Sequence, residues 1–326
     1  GSAAARGRGV KTGGRPLLWI SLALLVLLGV LLSLSCGPLG FPDDPLALRL
    51  RIPRVALALL AGSSLAASGC ILQGLLRNDL ATPYTLGISA GASLAAGALI
   101  ILEPMMPVIV FLGAGSAGAL AASAAVWALA RASGGGDSSR LLLSGVTVNL
   151  VGASLLLLVE YFSPASRLVE IIRWMMGDLA AVDGAVPLFL LPFVVLGLSL
   201  ALPRSGTLNQ LSMGDDLAAS RGVRVSSERN ALLLAASLLA GGAVGAVGPV
   251  GFVGLIVPHA MRRFAGSDNR VLLPASALGG MAVLLLADVV SRVVAAPAEI
   301  PIGIVMSLLG GPFFLALLFR EGGGGS

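Results

Sequence analysis

The chain has 326 residues, 56% of them hydrophobic and only 11% charged, with a mean hydropathy of +0.97 and a net charge of +5. Soluble domains carry roughly a quarter charged residues, so this composition excludes a water-soluble enzyme, a nucleic-acid binder and a disordered tail. The pI near 10.2 then points to basic loops on one side of a membrane.

Gly1-Ser2 reads as a cloning scar and 321–326, ending GGGGS, as a linker-like tail. Arg6, Arg8, Lys11 and Arg15 make 1–16 a basic cytoplasmic tail. Long uncharged runs follow, and a helix needs about 20 such residues to cross about 30 Å of hydrocarbon. The predicted spans are 17–36, 54–76, 85–102, 107–130, 140–162, 184–203, 229–248, 249–264, 271–295 and 302–319. The run 230–258 is long for one helix, and GAVGPVGFVG at 245–254 weakens its middle, so it is read as two spans. With ten spans, 15 basic residues lie inside and 6 outside; with nine the split is 12 and 9. The positive-inside rule therefore favours ten, with both termini cytoplasmic. The eighth span is too short to cross alone and is expected inside the bundle, where its backbone is shielded. Alternating ten-residue strands are absent. The fold class is an all-α polytopic membrane protein, with 17–320 as one ten-helix domain.

Several short patterns mimic catalytic motifs. Gly113, Gly115 and Gly118 spell GxGxxG, but inside a helix, where small residues serve packing. Gly87-Ile-Ser89-Ala-Gly91 spells a nucleophile elbow without a base nearby, since the single histidine is His259. The single lysine, Lys11, belongs to no phosphate loop. Cys36 and Cys70 lie in apolar stretches with no metal-ligand spacing. No catalytic residue and no metal ligand is assigned. Asp288 and Arg292, spaced i to i+4, read as a structural ion pair or, alternatively, as the ion site of a proton- or sodium-coupled secondary transporter.

The segment RIPRVALALLAGSSLAASGCILQGLLRNDLATPYTLGISAGAS at 51–93 resembles the BtuC/FecCD family of permeases, as do GPVGFVGLIVPHAMRR at 248–263, LLADVVSRVV at 285–294 and EIPIGIVMSLLGGPFFLALL at 299–318. The resemblance implies the membrane subunit of a bacterial ATP-binding-cassette importer for haem, cobalamin or a ferric siderophore. It implies a multi-pass inner-membrane homodimer in lipid, with two ATPase subunits and a periplasmic substrate-binding protein. ATP and Mg would sit on the ATPase, leaving this chain without a cofactor of its own and without enzymatic chemistry.

The resemblance also assigns residues. Asn78 and Leu80, with Ser138 and Ser139, would narrow a cytoplasmic gate, unless they merely cap helices and turns. Asp79 stands where the family usually has proline, which bears on the shape of that inner turn. At about 205–222, two short helices are expected, Thr207–Met213 and Asp215–Arg221, with Asp215 or Asp216 as N-cap. Leu208, Leu211, Gly214, Asp215, Leu217 and Arg221 would couple them to the ATPase. Arg51, Arg54 and Arg292 would pair with glutamates of the binding protein, or else anchor helices and satisfy Asp288. Trp174, Met175 and Met176, in a short outer segment, would line the pathway mouth or anchor the interface.

Overall fold

The structure is a computed structural model that describes residues 15–36, 45–103, 106–134, 138–180 and 184–322. Most of the basic tail, the residues read as a cloning scar and most of GGGGS lie outside these. The described residues form helices and no strand. In chain order they are α1 (Arg15–Ser35), α2 (Pro45–Leu76), a 3-10 turn (Pro83–Leu86), α3 (Ile88–Leu102), α4 (Val108–Ala132), α5 (Ser138–Tyr161) and α6 (Ala165–Met175). Then come α7 (Ala185–Ala201), α8 (Ser205–Ser212), α9 (Asp215–Ser220), α10 (Val225–Val247), α11 (Val253–Ala265), α12 (Asn269–Val293) and α13 (Ile302–Gly322).

Among the described residues six helices, α1, α2, α4, α5, α10 and α12, are long and apolar enough to cross a membrane, and α7 joins them if taken with α8, from which it is bent by 62°. The ten-span reading is completed by α3 and α13, shorter apolar helices, and by α11. The spans begin or end a few residues from the expected places. The largest difference is α2, which starts nine residues earlier than the predicted 54 and tolerates Pro53 inside it.

From Val55 onward α2 is apolar all round and buried or nearly so all round, as a helix without a polar face must be in a bundle centre. It packs against α12, α10, α11 and α7, whereas α1 sits at the edge, mainly against α12. Between hydrocarbon-coated helices no hydrophobic gradient drives association, so close approach through small residues does the work. Gly62 of α2 lies on the Gly280 backbone of α12, and Gly69 of α2 on Gly254 of α11.

The two short spans share a cause. α11 is preceded by the non-helical stretch 248–252, and α3 by the 3-10 turn. Gly254 touches Gly69, two turns inside the Arg77 end of α2, or about 12 Å at 1.5 Å per residue. Pro83 packs against the same glycine. Both interruptions thus lie beside the inner third of α2, about 12 Å from its end, with Val250 and Val253 fully buried. Irregular backbone at membrane depth is stable only when protein surrounds it.

Candidate functional site

At the outer end, α1 finishes with carbonyls that no helical N–H reaches. Arg51 donates from Nη1 to the carbonyls of Leu34 (2.7 Å) and Ser35 (3.2 Å). Arg292 donates to the carbonyls of Ser33 (3.1 Å) and Cys36 (3.0 Å) and to the Ser33 hydroxyl (2.7 Å). Cations at a helix C-terminus also oppose the helix dipole favourably.

Behind them Asp288, fully buried, accepts from Arg54 Nε at 2.7 Å and forms an ion pair with Arg292 Nη2 at 2.9 Å. Ser33 adds a hydroxyl at 3.2 Å, and Arg54 reaches Glu299 through Nη1 at 2.7 Å. The i to i+4 pair is therefore present, but Arg54, 234 residues away in sequence, is its third member. Arg51, Arg54 and Arg292 are 8%, 9% and 3% exposed, so little of these side chains faces outward. Positive charge on the outer side thus has a structural employment within the chain.

At the inner end, α2 closes with Arg77 in the left-handed region (φ 50°). Asn78 Oδ1 accepts from the Leu80 N–H at 2.9 Å, a side-chain-closed turn. Leu80 is left 53% exposed. The Ser138 hydroxyl donates to the Leu75 carbonyl (3.1 Å), seating the start of α5 on the last turn of α2, while Ser139 beside it is exposed. Asn78 and Leu80, but not Ser138 or Ser139, border a cavity of about 560 Å³ walled also by Leu142, Leu255, His259, Phe313 and Phe314. Asp79 is held by Arg262 at 2.7 Å, and the same guanidinium reaches Gln73 Oε1 at 2.8 Å. Sequence reasoning passed over His259, Arg262 and the two phenylalanines. Its available signal was the adjacent pair Phe313-Phe314 in the last span.

Between α7 and α10 the chain makes the two expected short helices. Pro203 cannot continue α7, and α8 leaves at an angle. Gly214 at φ 128° separates α8 from α9, a conformation glycine tolerates best. Two expectations need correction. Asp215 does not cap α9; its carboxylate pairs with Arg229 at 2.6 Å, and Gly214 occupies the N-cap. Leu208 and Leu211 do not face outward but belong to the chain's own core, Leu208 lying against Gly74. Apolar side chains beside a bundle bury against the bundle first. Asn209 ties α8 to α12, donating to Asp268 (2.7 Å) and accepting from the Asn269 backbone (2.8 Å). Exposed on this element are Met213 (64%), Leu217 (41%) and, beside Met213, Arg221, together with Asp216, Ala219 and Ser220.

On the outer side, Trp174 of α6 packs edge-on against Phe111 of α4, centroids 5.9 Å apart. Met175 and Met176 are half-exposed. The motif look-alikes serve packing, with Gly118 against Gly91 and Gly115 against Gly245.

A model of the FecCD transport family matches residues 42–320. The chain is 41% identical over 282 residues to the hemin transport system permease protein HmuU of Yersinia pestis, covering 84% of this chain and 83% of that one. It is 37% identical over 317 residues to the vitamin B12 import system permease protein BtuC of Salmonella newport, covering 94% and 96%. Among solved structures, it superposes with a TM-score of 0.86 at 29% identity on a metal-chelate type ABC transporter in an inward-facing conformation, covering 94% and 99%.

Proposed function

The chain belongs to the FecCD transport family, and from that premise we propose that it is the permease subunit of an importer that moves a large metal chelate across the bacterial inner membrane. The substrate class is haem, cobalamin or a ferric siderophore; the named relatives carry hemin and vitamin B12. Two copies would enclose a pathway on their shared axis. Two ATPase subunits would bind ATP and Mg, and a binding protein would deliver the ligand outside.

The observation that carries this reading is the α8–α9 element. It is clamped to the bundle through Asn209 and Asp215, yet it shows a mixed apolar and charged knob, Met213, Asp216, Leu217 and Arg221, to the cytoplasm. Such a part transmits motion between a soluble motor and a membrane bundle, and it supplies no bond-making chemistry. Docking of the binding protein on the outer face belongs to the proposal. There its carboxylates would have to exchange with partners that Arg51 and Arg54 already hold.

The alternative of an ion-driven transporter loses ground on one contact set. A carboxylate whose two oxygens are already engaged by two guanidiniums and the Ser33 hydroxyl leaves no open ligand for a transported ion. The test is uptake into vesicles holding the permease, the ATPase and external binding protein. Haem or cobalamin should accumulate only when ATP and both partners are present. Accumulation driven by a proton or sodium gradient without the ATPase overturns the proposal.

The gate is part of the same reading. Cysteines replacing Asn78 or Leu80, on the rim of the inner cavity, should cross-link between the two copies in one nucleotide state and not in another. Absence of cross-linking in every state removes these residues from the gate.

A further inference from the structure

α4 and α10 run antiparallel and are not evenly spaced. In the outer half small residues let them touch: Gly115 lies against Gly245, and Gly241 against Ala119. Toward the cytoplasmic ends the facing residues grow to Leu120 and Trp127 on one helix and Leu233, Leu234 and Leu238 on the other, and a groove of about 350 Å³ opens between them. From Leu238 to Asn230 it spans eight residues of α10, about 12 Å at 1.5 Å per residue. That is most of one leaflet of a hydrocarbon layer about 30 Å thick.

Three of the groove's four polar side chains, Trp127, Asn230 and Ser123 but not Ser237, are spent on each other or on the helix. Trp127 Nε1 donates to Asn230 Oδ1 at 2.8 Å, and Ser123 donates to the Ala119 carbonyl. No carboxylate lines it. At its cytoplasmic mouth stands Arg131, one turn beyond Trp127, its guanidinium 4.2 Å from the indole centroid. The cation is exposed and makes one hydrogen bond among the described residues, a long one of 3.4 Å to the Ser226 hydroxyl. A guanidinium carries five donors, so most of its capacity is open. The acid of α10's first turn, Glu228, is paired with Arg204 at 3.2 Å.

We propose that this groove is a binding site for an anionic phospholipid of the cytoplasmic leaflet, with one acyl chain between α4 and α10 and the phosphate on Arg131. The length fits a chain, the apolar walls fit its methylenes, and the cation sits where the headgroup begins. Basic pockets between membrane helices on the cytoplasmic side select anionic headgroups for this reason. The site is independent of the transported ligand.

Trp127 reports on its own groove. With Trp19→Phe and Trp174→Phe in the full chain, it becomes the single tryptophan, and bromine on an acyl chain quenches it on contact. In bilayers, dibrominated phosphatidylglycerol should reach half-maximal quenching at about one fifth the lipid fraction that dibrominated phosphatidylcholine needs, the factor one basic side chain is worth near an anionic lipid. Arg131→Gln, an exposed substitution, should abolish that preference and leave quenching by phosphatidylcholine intact. Ala124→Phe, which fills the groove from its exposed wall, should reduce quenching by both lipids. Equal quenching by the two lipids in the unaltered groove means ordinary boundary lipid and overturns the proposal. So does a preference that survives Arg131→Gln, or quenching unaffected by Ala124→Phe. No quenching by either lipid overturns it too, since a second copy would then cover the face.

Discussion

Replacing Asp288 by alanine should unfold the outer end of the bundle. Its carboxylate is fully buried and is the shared ion-pair partner of Arg54 and Arg292, whose side chains are 11% and 3% exposed. Removing one partner of a buried ion pair costs about 3–5 kcal/mol, because the remaining charge stays buried without compensation. Arg292 would also lose part of what aims it at the last carbonyls of α1, so the weakly packed α1 should detach first. The measurement is thermal unfolding in detergent, followed by size-exclusion chromatography. Asp288→Ala should melt far below the unaltered chain, whereas Arg54→Met, Asp288→Leu and Arg292→Met together should recover part of the loss, since an apolar cluster needs no ion pairing, the remainder being the α1 carbonyls that Arg292 caps. A melting point unchanged in Asp288→Ala, with transport lost, would revive the ion-site reading.

Changing Leu217 to aspartate should stop transport while leaving the permease folded. Leu217 is half-exposed on α9, and a carboxylate there meets water in the free permease. Against an ATPase surface the same carboxylate would be desolvated without a partner, at a cost of about 2 kcal/mol or more, enough to weaken docking by more than tenfold. Leu211→Asp should behave differently, because Leu211 is buried in the chain's own core. Its product should be misfolded permease, not a folded permease without its motor. ATPase pull-down and size-exclusion profiles of both variants separate these outcomes. Undiminished pull-down by folded Leu217→Asp removes α9 from the coupling surface.

The difference between those two leucines shows where sequence reading stops. Both are apolar residues in a polar stretch, and either could answer to the bundle or to a partner. Which one does depends on where α8 points after Pro203, and that direction is set by Asn209 meeting Asp268 and Asn269 some sixty residues later. The gate behaves likewise. That Asn78 closes a turn is legible from Asn-Asp-Leu after a helix. That Arg262 returns to hold Asp79 is not, since the two are 183 positions apart. The absent proline is thus accompanied by an ion pair that no local pattern announces.

Composition and charge alone determined that this chain crosses a membrane as helices, because each span is a local fact: twenty apolar residues satisfy their own backbone bonds wherever they lie. The loop charges settled the count near ten for the same reason, and the breaks at GPVGF and at Gly214 were written in residues whose backbone preferences are their own. Tertiary structure decided what the few polar side chains do. Arg51, Arg54 and Arg292 read as an outward-facing surplus of charge, and folding turned them inward onto Asp288, Glu299 and the end of α1. A charge in an apolar bundle takes the nearest partner in space, and nearness in space is a property of packing that sequence spacing does not carry.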